Sequence, residues 1–473
     1  MKTSPKACKS AVYIFNHLKK LTMKTQLKLW MLLAIASFAI FSGCKKEDSL
    51  AGSSTQLTTS YNAEVRGAPT AKATAAVPLK WYNLIIGLTR TVPFQGAGPI
   101  ASRLYGYTGL ALYESVVPGM PMYQSLQGQL NGLPALPQPD ASKKYFYPAC
   151  ANAALASMVH YMFGNATTEQ NYSIDSLEDA IYTSFKSMAS EEALDRSVSF
   201  GKDISTAIYN WSKTDGGDQA YLNPFPPYTP PVGPQYWVPQ TGQSALLPYW
   251  GNNRTFVVNN ATSTQPPPPI PYSTDPHSEF YREEMSVYRE SINQDPDHTA
   301  AALYWNSLVA TSAGISILGD ILTNKSANLA TAAEAYCKAG MAMADAEVSN
   351  WKTKYKYVQV RPITYIKANI NTGWTPLLGT PPYPDYTSGY TIIMTSCLTP
   401  LADMFGNNTT FTCPYINSLG LEPRVFNSFS ECVREVSRSR FYGGIHIISS
   451  CYAAIAQGAL LATHVSALKF KRG

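Results

Sequence analysis

Glu435-Val-Ser-Arg-Ser-Arg-Phe-Tyr-Gly-Gly-Ile-His446 sets a serine and arginine run, a glycine pair and one histidine within two or three helical turns. Each glycine costs a helix roughly 1 kcal/mol against alanine, so Gly443-Gly444 predicts a break. Ile445 to Ala462 then resumes as an apolar run. His446 is therefore expected at a helix start, near unpaired N–H groups and the positive end of a helix dipole. Arginine, loosened backbone and histidine at such a place suit a tetrahedral oxyanion.

Working outward, the 473 residues are 45% hydrophobic and only 14% charged, which describes a folded chain with a weakly charged surface. The formal charge of +6 is misleading. Residues 1–43 hold seven lysines and no acids, leaving 37 − 7 = 30 basic against 31 acidic residues. A nearly neutral remainder excludes an electrostatic case for nucleic acid.

That asymmetry reads as an export signal over residues 1–43, with Met23 as the expected true start. Met23-Lys-Thr-Gln-Leu-Lys28 is a positive n-region and Leu29 to Phe41 an apolar segment of signal length. Phe41-Ser42-Gly43-Cys44 resembles a bacterial lipoprotein signal, which implies a lipid anchor at Cys44. The implied location is a Gram-negative-type envelope, in the outer membrane and with surface exposure. Residues 44–78 are rich in Ser, Thr, Ala and Gly and are expected to form a flexible tether. Six cysteines remain, and an even number in an exported chain permits disulfides, with Cys397/Cys413 the first pair to test.

From residue 79 to 473 the pattern is helical and a mainly helical domain is expected. Apolar residues recur three and four apart over Ile174–Met188, Glu191–Trp211, Ser278–Ser291, Thr299–Leu322 and Asn328–Trp351. Residues 223–276 differ. Prolines from Pro224 to Pro269, interleaved with Tyr228, Tyr236, Trp237, Tyr249 and Trp250, exclude helix and central strand. This predicts a long packed loop, either a lid on a site or a covering excursion.

Three short blocks between residues 351 and 446 carry the chemistry. Trp351 is followed by Lys354 and Arg361-Pro362; Pro382-Tyr-Pro-Asp-Tyr-Thr precedes Ser388-Gly389-Tyr390; Ser439-Arg440 precedes His446. In order and spacing they resemble the vanadium-dependent haloperoxidase and type 2 phosphatidic acid phosphatase superfamily, whose signature is K-x6-R-P, P-S-G-H, S-R-x5-H. Ala302-Leu-Tyr-Trp305-Asn306 and Phe405-Gly406 also look like its secreted bacterial branch. The resemblance implies an all-α helical bundle and a site for vanadate or a phosphorylated small molecule. Lys354, Arg361, Ser388, Gly389 and Arg440 would hold the oxyanion. His446 would take the axial position, as vanadium ligand or as nucleophile on phosphorus.

Two departures from the signature matter. Tyr390 replaces the acid/base histidine, and a phenol with a pKa near 10 is poorly matched to proton transfer at neutrality. Ser450 stands four residues past His446, where phosphatases of the family often carry an aspartate; it predicts a less basic imidazole. Three readings follow. One is an enzyme that oxidises halide with peroxide or hydrolyses phosphate monoesters. Another is a degenerate member that only binds phosphate-like ligands. The third, of another class, is a glycan-capturing surface lipoprotein. His160, His277, His298 and His464 carry no motif and read as structural or exposed.

Overall fold

A computed structural model describes residues 70–293, 295–307, 310–413 and 422–472. The signal segment, Cys44 and the tether up to residue 69 lie outside the described residues. Residues 70–78, expected to end the tether, instead belong to the domain. Ala73, Ala75 and Val77 are buried, and the Ala73 carbonyl and Ala75 N–H pair with the backbone of Leu329 and Ala327. Small side chains that read as linker composition let this segment lie flush in a groove.

The bundle is built from α1 (Ala76–Thr91), α2 (Gly98–Val116), α3 (Tyr147–Met162), α4 (Thr168–Phe185) and α5 (Glu191–Ser212) in its first half. After a short α6 (Asn260–Ser263) come α7 (Glu279–Asn293), α8 (Pro296–Asn306), α9 (Ala310–Asn324) and α10 (Leu329–Tyr357). The last part holds α11 (Pro362–Asn369), α12 (Gly389–Phe405), α13 (Phe429–Tyr442) and α14 (Ile448–Ser466). A two-residue antiparallel pair, Phe411–Thr412 with Val425–Phe426, is the only sheet among the described residues. Proline sits in the first turn of α2, α3, α8 and α11, where its missing N–H costs nothing.

The centre is the crossing of α2 and α10, both buried along most of their length. Glycine makes the approach possible. A Cβ on Gly340 would come within 2.3 Å of the Tyr105 carbonyl, and one on Gly109 within 2.6 Å of the Tyr336 carbonyl. The two backbones touch there, and α10 is thereby held rigidly enough to aim its C-terminal turn.

The run expected as one helix from Thr299 to Leu322 is divided between α8 and α9, which meet at a bend of 93°. α14 is long and apolar enough to cross a membrane, but Cys451, Ala454, Leu461 and Val465 are buried in the bundle against α12 and its neighbours. Among the described residues Cys397 is not joined to Cys413, so the pairing expected first is absent from the described structure.

Residues 223–276 form a strap across the first two motif blocks, and one short helix, α6, does form there, in the proline-free stretch before Pro266. Trp237 N–H donates to the Val358 carbonyl at 2.7 Å, and Val360 N–H to the Gln235 carbonyl at 3.0 Å. Leu246 N–H reaches the Pro382 carbonyl at 3.0 Å, and the Tyr386 hydroxyl reaches Pro267 at 2.8 Å. Trp237 is fully buried, which makes the strap a fixed covering of these blocks.

Candidate active site

The three blocks converge because three helix ends meet. Lys354 lies in the last turn of α10, Arg361 is the N-cap of α11, and Arg440 lies in the last turn of α13. Ser388 caps α12, and His446 stands two residues before α14. Pro362 holds Arg361 extended, at φ −88° and ψ 152°, which turns its side chain back under α10. Gly444, at φ +74°, makes the turn between α13 and α14 that a side chain would strain.

Lys354, Arg361, Ser388, Arg440 and His446 are all buried. The Arg361 Nη1 donates to the Ile445 carbonyl at 2.6 Å and to His446 Nε2 at 3.2 Å; its Nε donates to the Tyr383 carbonyl at 2.9 Å. Its buried Nη2 has no hydrogen-bond partner among the described residues. A guanidinium has no lone pair, so Nε2 must be the acceptor and the ring proton must lie on Nδ1. Nδ1 contacts the Asp385 carboxylate, with the Ser450 hydroxyl at 3.5 Å.

Asp385 is the residue the sequence reading missed. It lies in the second block, away from the helix on which Ser450 is the expected orienting group for His446. The structure supplies the carboxylate from across the pocket, so the expectation of an imidazole without negative charge behind it is corrected. Asp385 is fully buried. Burial raises its pKa to about 6 against the pull of Arg361 and Lys354. Burial, Arg361, Lys354 and Arg440 push His446 well below its ordinary value, which keeps its Nε2 lone pair available at neutrality.

Lys354 acts differently from the expectation of direct anion contact. Its ammonium donates to the carbonyls of Pro384 at 3.0 Å, Asp385 at 2.9 Å and Thr387. Burial and Arg361 lower its pKa. Three acceptors nonetheless need three N–H donors, which only the ammonium has. Lys354 thus ties the second block to α10 and charges the pocket through one layer of backbone.

Thr387, in the place of the signature proline, has a use proline lacks. Its hydroxyl donates to Gln457 at 2.7 Å and accepts from Asn350 at 2.9 Å. Gln457 in turn binds Ser349 and Thr353 on α10. Gly389 opens α12, whose first turn has no side-chain cap, so its N–H groups face the pocket end. Glu283 of α7 caps α14 from outside, taking the Ser449 N–H at 3.0 Å and hydroxyl at 2.7 Å.

Arg440 donates to the Ser439 hydroxyl at 3.1 Å and the Ala302 carbonyl at 3.3 Å. Its guanidinium lies 4.7 Å from the centre of the half-buried Tyr390 ring. The Tyr383 ring faces both Lys354 and Arg361 at 5.1 Å. Lys354, Arg361 and Arg440 face the Asp385 carboxylate, with Glu347 and Glu284 nearby driven toward their neutral forms by burial, and aromatic faces line part of the wall.

Buried acids set a pH dependence. Burial raises Glu114 and Asp345 to about 7 and Asp385 to about 6, and drives Glu284 and Glu347 upward without hydrogen-bond partners. Their unfolded values lie near 4, so the native chain binds more protons between pH 4 and 7. Their contribution is present below the unfolded value and lost as pH rises through the native one. His446 and Lys354, whose values burial lowers, work in the opposite sense but are outnumbered. Tm is expected to fall by at least ~5 °C between pH 5 and 8, read by scanning calorimetry; a rise over that range would refute it.

A model of the VCPO second helical-bundle domain matches residues 334–471. The structure resembles that described as the first bacterial vanadium-dependent iodoperoxidase, at 29% identity and a TM-score of 0.76. That match covers 83% of this chain and 96% of the other. Bacterial vanadium-dependent chloroperoxidase matches in its apo form at 16% identity, TM-score 0.63, over 80% of this chain and 95% of that one. Its holo form matches at 14% and 0.64, over 80% and 94%. These last two speak for the fold alone. No curated protein matches the sequence.

Proposed function

We propose that the chain is a member of the vanadium haloperoxidase and type 2 phosphatidic acid phosphatase superfamily whose pocket binds vanadate and oxidises halide with peroxide. The observation that carries this reading is the tautomer of His446. Arg361 donates to Nε2 and the Asp385 carboxylate faces Nδ1, so the ring proton lies on the Asp385 side and the lone pair on the Arg361 side of a positive pocket. The donors fit the group. The Arg361 Nη2 lacks a partner, the α12 N-terminus lacks a side-chain cap, and His446 is neutral.

His446 would ligate vanadate, Arg361, Arg440, Ser388 and the Gly389 N–H would bind its oxygens, and Lys354 would add positive charge. Bound there, vanadate supplies the Lewis-acidic centre at which peroxide and halide react. Asp385 fixes the ring and keeps its proton away from the pocket. Iodide is the first halide to test, because the 29% identical neighbour is named an iodoperoxidase.

A second reading has one observation in its favour. Tyr390 occupies the acid/base position and stacks on Arg440, which suits a member that binds phosphate-like anions without turnover. A glycan-capturing role gives no use to the buried cations. Vanadate titration of the wild type, Arg440→Ala and His446→Ala tests the pocket: equal, weak binding by all three would defeat it. Iodide oxidation and monoester hydrolysis by wild type and Tyr390→His then separate the readings, since activity only in Tyr390→His marks the wild type as a binder.

The signal ending at Cys44 supports anchoring of this domain in the outer membrane, exposed at the surface. Radiolabelled fatty acid should enter the wild type and not Cys44→Ala; equal labelling would remove the anchor from Cys44.

A further inference from the structure

Asn350 stands on α10 one residue ahead of the first motif block and belongs to none of the three. It is fully buried, and its two ends are treated differently. Nδ2 donates to the Thr387 carbonyl at 3.1 Å and to the Thr387 hydroxyl at 2.9 Å. Oδ1 is buried and has no hydrogen-bond partner among the described residues. Turning the amide over does not cure this. A carbonyl only accepts, and the Thr387 hydroxyl spends its proton on Gln457 Oε1 at 2.7 Å, so both need the NH2 end.

The orphan oxygen lies against the start of α12. A Cβ on Gly389 would stand 3.5 Å from Asn350 Oδ1 and 3.9 Å from Lys354 Cε. Gly389 opens that helix without a side-chain cap, among the groups assigned above to the oxyanion. The donors nearest to Oδ1 are engaged elsewhere. Lys354 Nζ gives its protons to the carbonyls of Pro384, Asp385 and Thr387, and the Ser388 hydroxyl is shared with Thr391 at 2.9 Å. A cation against Oδ1 is opposed by Lys354 and Arg361. A buried acceptor is costly without a donor, and in this pocket the guest is the group that can bring one.

Resting on the oxyanion reading of this pocket, we propose that Asn350 makes it selective for tetrahedral oxyanions that carry a hydroxyl, whose proton Oδ1 accepts. One ligand oxygen then serves twice, accepting from the Gly389 N–H and donating to Asn350. Vanadate, phosphate and arsenate carry a hydroxyl at neutral pH, and sulfate carries none. With sulfate, Oδ1 faces a bare anionic oxygen and lone pairs meet. A site built to hydrogen-bond a hydroxyl rejects the analogue lacking it far more strongly than packing alone achieves. An amide suits the task better than a carboxylate, because it takes the proton without setting a negative charge against the anion.

Competition of phosphate and of sulfate with vanadate on the full chain tests this, read by vanadium NMR without peroxide or halide. In mildly alkaline buffer hydrogen phosphate and sulfate share a charge and nearly a size, and differ by one proton. Phosphate should displace vanadate at a concentration about 100-fold or more below that of sulfate. Arsenate against selenate should repeat the preference. In Asn350→Leu, which keeps the bulk and removes the acceptor, the ratio of phosphate to sulfate affinity should shrink by about tenfold or more. A residue that only braces Thr387 would weaken both anions alike, so an unchanged ratio overturns the assignment to Asn350. Displacement by sulfate as readily as by phosphate in the wild type overturns it as well, and needs no variant to fold. Either result leaves the oxyanion pocket standing. Failure of the wild type to bind vanadate defeats the pocket and the selectivity with it.

Discussion

Arg361→Ala is expected to lower stability by about 3–5 kcal/mol and vanadate affinity by about 100-fold or more. Arg361 holds four groups at once: the Tyr383 and Ile445 carbonyls, His446 Nε2 and, at 3.7 Å, the Asp385 carboxylate. Truncation leaves Asp385 with Lys354 as its remaining cation and removes the partner that fixes the imidazole from the pocket side. Arg361→Lys should recover part of the stability and little of the affinity, because an ammonium lacks the fork. Urea unfolding and vanadate titration measure both. A variant that loses affinity with unchanged stability would mean that Arg361 is not the keystone described here.

Asp385→Asn separates function from folding most sharply. At pH 8 the native carboxylate is ionised although burial has raised its pKa to about 6, so its charge costs the fold. The amide removes that cost, so Tm at pH 8 is expected to hold or rise. Function should move the other way. An amide can turn its NH2 toward Nδ1, favouring the tautomer with the proton on Nε2 and closing the lone pair to the pocket. A loss of about 10–100-fold in vanadate affinity is expected. Loss of stability with unchanged affinity would make Asp385 a structural residue.

The cations and His446 were readable as three blocks because each is set by local spacing on a helix end. Asp385 was printed inside one of those blocks and still escaped notice. The sequence reading looked for the histidine's partner on its own helix, at Ser450, whereas the fold brings it from the far wall. Asn350, Gln457 and Glu283 escaped for the same reason, since no local pattern marks a contact made through space. The bend between α8 and α9 was hidden by apolar periodicity that continues across it. Residues 70–78 were hidden by composition: alanine and threonine look like linker until backbone pairing with residues 327–329 shows their place.

The strap over residues 223–276 has a practical corollary for anyone trimming the chain. A fragment limited to the matched span, 334–471, would retain every cation and the imidazole. It would forfeit Trp237, Leu246 and Pro267, which clamp the first two blocks, and Ala302, which seats Arg440. The recognisable module is therefore smaller than the working unit, and minimal expression boundaries belong well upstream of the signature.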